Sequence, residues 1–228
     1  PPSQRPRRSG KVAPVNYRQR LCESPTCGLR FPVAEASELG SRCPICGAPT
    51  NFVDEVYPTH EIHDRRPPSG PRLQVLLDNV RSLTNVGSMF RTADAVAVEH
   101  IHLGGFSPTP AHPKLAKTAL GAEGSVPWTH HADPSKAAQA LVGAGHRLWA
   151  LEGGPRSEDL FEIVDQAGGP DDPTIVLVCG HEVSGVDPRI LDQCERVVRI
   201  PMAGIKGSLN VSVAFGIAAY QLRHGRRV

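Results

Sequence analysis

The apolar positions of this chain change rhythm near residue 72. Beyond it, short apolar runs at 73–77, 101–103, 147–151, 174–179 and 197–200 read as buried strands. Between them, 85–98, 114–120, 135–142 and 188–194 read as helices. Strands alternating with helices predict an α/β domain with a mostly parallel sheet covered on both faces. The last helix is expected to begin near Ser208, whose hydroxyl suits an N-cap, and to run to Leu222. Nearly every face of it is apolar or small, so burial is expected. Asn210 and Ser212 interrupt that pattern. A buried amide without a partner costs roughly 1–3 kcal/mol, so another loop or a ligand is expected at this helix start.

Upstream the rhythm is absent. Residues 1–20 are rich in Pro and Arg and, with Arg5, Arg7, Arg8, Lys11, Arg18 and Arg20, carry no acid before Glu23. They read as a flexible basic arm, either reaching for phosphates or simply solvated. Residues 21–53 hold Cys22-x4-Cys27 and Cys43-x2-Cys46, each pair followed by a glycine, Gly28 and Gly47. Glycine tolerates the positive φ of a tight turn, which aims two nearby thiols at one ion. Four such thiolates suit tetrahedral zinc, and a segment so poor in apolar residues needs a metal as its core. A small zinc ribbon is the expectation, with Cys22, Cys27, Cys43 and Cys46 as ligands; iron accepts the same donor set. Residues 54–71 read as a linker by composition, and His60 and His63, three apart, as part of a solvated hinge. Residues 72–228 form the α/β domain.

Composition narrows the class. The 228 residues are 39% hydrophobic and 21% charged, with a net charge of +2. That suits a soluble globular enzyme and excludes both a disordered chain and one held to nucleic acid by total charge alone. No apolar run approaches the roughly 20 residues of a membrane span, and the opening residues lack a signal peptide's apolar core. Six cysteines, four of them clustered, point to a reducing cytoplasm rather than a secreted disulfide scaffold. Cys179, Cys194, Trp128 and Trp149 read as core, and His112, Lys114 and Lys117 as a solvated face.

Three loops following strands carry the candidate chemistry, because ligands of open α/β sheets bind beyond the carboxyl ends of strands. The first is Asn85-Val86-Gly87-Ser88-Met89-Phe90-Arg91, at a helix start. Gly87 and Arg91 share a face, so the glycine is expected to leave room for a substrate beneath the guanidinium. Taken alone, Arg91 reads as a surface partner of Asp94. The second loop, Gly180-His181-Glu182-Val183-Ser184-Gly185, presents Glu182 between two glycines that permit close backbone approach. The third runs from Ile200 and Met202 to Ser208, Leu209 and Asn210. A complete GxGxxG, a GxxxxGK[ST] and a GxSxG are all missing, which argues against a Rossmann dinucleotide site, a P-loop and a serine hydrolase.

Asn85-x-Gly87-x3-Arg91, Gly180-x-Glu182-x2-Gly185 and Ile200-Pro201-Met202…Ser208-Leu209-Asn210-Val211-Ser212 together resemble the three motifs of the SPOUT superfamily. They are most similar to those of its SpoU/TrmH-type RNA ribose 2'-O-methyltransferases. The resemblance covers residues 72–224 and leaves the ribbon aside. It implies a C-terminal deep trefoil knot, made by 180–185 and 200–210, that holds S-adenosylmethionine. Gly180, Glu182, Gly185, Ile200, Met202, Ser208, Leu209 and Asn210 are then the cofactor-binding residues, and Arg91, Asn85, Glu182 and Asn210 the catalytic ones. It further implies a homodimer with Arg91 serving the partner's cofactor, and a tRNA or rRNA substrate. His181 and Val183 stand where the family more often has a small or amide residue and a glycine. The competing readings are a catalytically inactive RNA-binding module and a base methyltransferase on the same fold.

Overall fold

The computed structural model describes residues 15–37, 39–58 and 70–225. Two compact units divide the chain, one within residues 6–66 and the other chiefly residues 67–228. In the smaller unit β1 (Asn16–Cys22), β2 (Arg30–Ala34) and β3 (Thr50–Pro58) form an antiparallel sheet in the order β2-β1-β3. This corrects both edges of the expected ribbon: β1 begins within the stretch read as an arm, and β3 runs past residue 53. The arginines that made residues 16–20 look like a tail have partners in the sheet. Arg18 and Arg20 lay their guanidinium groups over the Phe52 ring, 5.3 and 3.9 Å from its centre, so their stems are covered while their charge stays near water. The rest of the expected arm, 1–14, and the linker histidines His60 and His63 lie outside the described residues.

The larger unit runs β4 (Leu73–Asp78), α1 (Leu83–Ala95), β5 (His100–Gly104), α2 (Ala116–Ala119), β6 (Trp128–His131), α3 (Pro134–Gly143) and β7 (Arg147–Leu151). It continues through β8 (Glu158–Asp159), α4 (Leu160–Ile163), β9 (Ile175–Cys179), α5 (Pro188–Leu191), β10 (Arg196–Arg199) and α6 (Val211–His224). Seven strands stand in the order β6-β5-β4-β9-β7-β10-β8, and every pairing is parallel. Strand alternation sends Val75, Leu77 and Leu177 into one layer with Phe90 of α1 and Phe215 of α6. Leu76, Val176 and Val178 enter the opposite layer with Ala138 and Leu141 of α3 and Ile190 of α5. Trp149 and Cys179 are core as expected, Trp128 and Cys194 pack partly buried against it, and His112, Lys114 and Lys117 are exposed.

The expected α/β alternation is present, with shifted ends and three additions: β6, β8 and α4. α1 starts at Leu83, two residues before Asn85, because Ser82 caps it by accepting from the Asn85 N–H at 3.3 Å. α6 is not buried all round. Phe215, Ala218, Ala219 and Leu222 are inside, whereas Val213 and Tyr220 are each 50% exposed. Its last turn is fixed by the buried Arg223, whose guanidinium donates to the Val96 carbonyl at 2.9 Å, the Ala97 carbonyl at 3.2 Å and the Pro71 carbonyl. That satisfies carbonyls at the end of α1 and at the entry to β4.

One polar row crosses the sheet toward its β6 edge. His102 Nδ1 lies 3.1 Å from His131 Nε2, and His102 Nε2 lies 3.0 Å from Gln74 Oε1. Burial, and then the neighbouring His100, His131 and His146, push the His102 pKa from 6.5 down to about 3. Between those two values the unfolded chain binds a proton that the folded one excludes, so stability rises with pH across that window and falls on acidification. Urea denaturation at pH 7.5 and pH 5 is expected to show a loss of stability at pH 5 that His102→Gln reduces. Equal losses in the two proteins would remove His102 as the cause.

Candidate functional site

The loops that follow β7, β9 and β10 converge at the carboxyl ends of their strands and line a cavity of about 300 Å³. All eight residues expected to bind cofactor line it: Gly180, Glu182, Gly185, Ile200, Met202, Ser208, Leu209 and Asn210. The 180–185 loop closes on itself, with His181 N donating to Gly185 O at 3.1 Å and Gly185 N to His181 O at 2.9 Å. A Cβ at Gly180 would overlap the backbone of Gly185 and Val186, and Gly185 holds a φ of +73° against the Glu152 carboxylate. Both glycines are therefore required by the turn itself.

Glu182 reaches from this loop to the start of α1. Its carboxylate accepts from Arg81 N at 3.0 Å, Ser82 N at 2.9 Å and Asn85 Nδ2 at 3.1 Å. Burial would raise its pKa. The donors of Arg81 and Ser82, its own amide and the Asn85 side chain outweigh that and hold the carboxyl below its ordinary range. The positive end of α1 favours the same charge. Asn85 then accepts from Asn210 Nδ2 at 3.1 Å. Asn210 Oδ1 in turn accepts from Ser212 N at 2.9 Å and Ser212 Oγ at 2.7 Å. Asn210 is thus the N-cap of α6, and Ser208, expected to cap it, is an exposed cavity residue in the preceding loop. The partner expected for Asn210 is Asn85.

Three of the four expected catalytic residues, Asn85, Glu182 and Asn210, form this one hydrogen-bonded chain. Arg91 does not join it. It is exposed, forms no ion pair with Asp94 among the described residues, and is not part of the cavity wall. Gly87 also differs from expectation. It is buried, and a Cβ there would overlap the Thr118 hydroxyl, so its missing side chain lets α1 meet α2 rather than making room for a substrate. Leu151, Glu152 and Gly153, absent from the site residues expected from the sequence, also line the cavity at the end of β7. Glu152 accepts from Val186 N at 3.0 Å and Gly153 N at 3.1 Å, bracing the 180–185 loop from behind. Their signal was available, since they follow an apolar strand as 180–185 does.

The smaller unit brings Cys22, Cys27, Cys43 and Cys46 together with all four sulfurs within 4.8 Å of one another. Cys22 Sγ is 3.4 Å from Cys46 Sγ, and Cys27 Sγ is 3.7 Å from Cys43 Sγ. Tetrahedral zinc with bonds of about 2.3 Å asks for sulfur separations of about 3.8 Å, so the cluster fits a metal of that kind. Gly28 and Gly47 take φ of 57° and 74°, as the paired turns require. Burial pushes Cys22 up to about 12, while the backbone N–H groups of Cys46 and Ile45 bring Cys43 down to about 7. A bound dication is what would let all four ionise together.

The profile of the SpoU rRNA methylase family matches residues 72–220. The chain belongs to the SpoU rRNA methylase family. An uncharacterized tRNA/rRNA methyltransferase of Mycolicibacterium smegmatis is 28% identical over 171 residues, covering 75% of this chain and 52% of that protein. A 23S rRNA (guanosine-2'-O-)-methyltransferase of Pseudomonas syringae is 31% identical over 71% of this chain and 61% of its own length. Among solved structures, an AdoMet-bound rRNA methyltransferase of Sinorhizobium meliloti superposes with a TM-score of 0.62 at 28% identity, covering 71% of this chain and 59% of that one. The chain spans about half the length of the Mycolicibacterium relative it matches (52%). The SpoU match lies within the larger unit and leaves the cysteine cluster outside. No described helix is long and apolar enough to cross a membrane.

Two measurements test this SpoU site. Asn210→Ala removes both the α6 cap and the bond to Asn85 and is expected to cost about 1–2 kcal/mol of stability. Asn210→Asp keeps the cap but has no donor for Asn85. It should unfold near wild type by urea denaturation yet bind cofactor at least several-fold more weakly; wild-type affinity would show that the bond to Asn85 is dispensable. For the cluster, elemental analysis is expected to give one zinc per chain, lost in Cys43→Ser. A chain that stays metal-free when refolded with zinc would refute the ribbon.

Proposed function

We propose that this chain transfers a methyl group from S-adenosylmethionine to a ribose 2'-hydroxyl of structured RNA, a tRNA or an rRNA, and that it works as a homodimer in the cytoplasm. The observation that carries the reading is that two of the motifs line one cavity and the first is tied to both of them through the Glu182–Asn85–Asn210 chain. The residues present fit the cofactor. Leu151, Ile200, Met202 and Leu209 offer apolar walls for a flat purine, the glycine loop brings backbone close, and the volume falls within the range of small-molecule sites. When bound, the cofactor supplies an electrophilic methyl group on a positively charged sulfur. A deep trefoil knot made by 180–185 and 200–210 belongs to the same proposal and is supported by the family membership.

The protein's task is then alignment of the ribose hydroxyl and help for its departing proton. A guanidinium offers donors and no acceptor, so Arg91 is not the base in this reading. Its planar fork stabilises the developing alkoxide and grips the adjacent phosphate. Arg91 lies six residues beyond Asn85, about 9 Å along α1 and about 120° around it, and it is exposed and outside the wall of its own chain's cavity. That position supports the assignment of Arg91 to the partner's site. The half-exposed Val213 and Tyr220 on α6 support a partner as well, since an apolar stripe of this kind suits an interface. Glu182, Asn85 and Asn210 position the hydroxyl or the arginine. The metal ribbon and the basic arm help to hold the RNA.

The test is transfer of labelled methyl groups from S-adenosylmethionine to total RNA, followed by nuclease digestion and mass analysis of nucleosides. A labelled 2'-O-methylnucleoside is expected, reduced about a hundredfold or more in Arg91→Ala. Arg91→Lys should also lose at least tenfold, and near-full turnover would refute the role of the fork. A labelled base would convert the assignment to base methylation. Neither cofactor binding nor transfer by folded, metal-loaded protein would leave an RNA-binding module.

A further inference from the structure

The residue between Gly180 and Glu182 has an unusual job for an imidazole. His181 Nδ1 lies 3.2 Å from Val183 N, 3.2 Å from Ser184 N and 3.3 Å from Ser184 Oγ. The two backbone N–H groups donate, so Nδ1 must carry a lone pair and the ring proton must sit on Nε2. This is the pattern by which an Asn or Asp side chain accepts from the amides two and three residues ahead. In both side chains the accepting atom is the second one out from Cβ, so a histidine has taken over the work of an amide. The bonds hold the tip of the loop whose base is the His181–Gly185 bridge. That tip carries Glu182, and with it the tie to α1.

We infer that His181 is a positioning residue for the cofactor: its Nδ1 latches the 180–185 loop in the binding-competent shape, and a proton on Nδ1 releases it. A protonated Nδ1 turns from acceptor into donor and would face two N–H groups, so the latch cannot survive protonation. Carboxylates surround the ring's loop, and each is already engaged. Glu182 accepts from Arg81, Ser82 and Asn85. At the end of β4, Asp78 accepts from Asn79 Nδ2 and Asp187 N. At the end of β7, Glu152 accepts from Gly153 and Val186. Before α5, Asp187 accepts from Arg189 N. Phe106, the aromatic neighbour, meets the ring edge-on at 5.9 Å and adds no charge. A proton on Nδ1 would set one donor against the two loop N–H groups, and opening the latch on acidification is the consequence.

The inference rests on the proposed S-adenosylmethionine site, and its test separates the two. Cofactor affinity of the full, metal-loaded chain is measured by calorimetry at pH 8 and pH 5, with thermal melting at each pH. Wild type is expected to weaken at least tenfold at pH 5. His181→Asn should bind like wild type at pH 8 and lose less than threefold at pH 5, since the amide restores the acceptor and does not titrate. His181→Ala should be weak at both. A wild-type fall at pH 5 that His181→Asn shares, or full affinity in His181→Ala at pH 8, would overturn the latch. Independently of cofactor, ¹⁵N-histidine NMR of the free chain should show the Nε2–H tautomer for His181, and hydrogen exchange should show the Val183 and Ser184 amides losing protection at pH 5 in wild type but not in His181→Asn. If no cofactor binds at pH 8 while these signatures appear, the latch stands and the cofactor reading falls. An Nδ1–H tautomer would overturn the latch itself.

Discussion

One carboxylate holds the site together. Glu182 sits 100 residues after Ser82 in the chain and accepts two backbone N–H groups and one amide from the loop and first turn of α1. Helix N-termini carry unpaired N–H groups and partial positive charge, so an anion there is favoured twice, by hydrogen bonds and by the dipole. Without it, the 180–185 loop would lose its anchor to α1. The chain of contacts then passes through Asn85 to Asn210, which caps α6. Two loops of the cavity wall and the start of α1 therefore share one continuous polar network, and movement of any of them costs bonds in the others.

The network sits where the parallel sheet requires it. β4 and β9 lie side by side at the centre, so their following loops emerge together. β7 and β10 extend the sheet on one side and add the Glu152 and Ile200–Asn210 segments. Apolar layers on both faces fix the strands, and the polar groups at their ends satisfy one another. Asp78 shows the same economy: 2% exposed, it takes the Asn79 amide and the Asp187 N–H and so joins the end of β4 to the segment after β9.

The smaller unit obeys a different physics. Its described residues have few fully buried apolar side chains, Cys22 and Cys43 among them. In a sheet of three short strands with so little core, an ion held by the four clustered thiolates would add to its order. The cation–π contacts of Arg18 and Arg20 with Phe52 and the stacked Tyr17–Tyr57 pair, 6.2 Å apart, supplement the sheet.

Much of this was determined by local pattern alone. The apolar runs at 73–77, 147–151 and 174–179 are buried strands because no other element accommodates so short an apolar segment, and the four cysteines with their trailing glycines dictate their own turns. β6 escaped notice because Trp-Thr-His-His has no apolar alternation and gains its place from pairing beside β5. β1 was hidden by its arginines, which need Phe52 from a distant strand to be read as sheet residues. Tertiary structure alone decided between Ser208 and Asn210 as the cap of α6: both are good caps by type, and only Asn210 also meets Asn85. It likewise decided that Gly87 makes room for Thr118, and that His181 serves as an acceptor for its own loop. The physical reason is common to all three. A side chain's type sets what bonds it can make, but which partner it finds depends on segments far away in the chain.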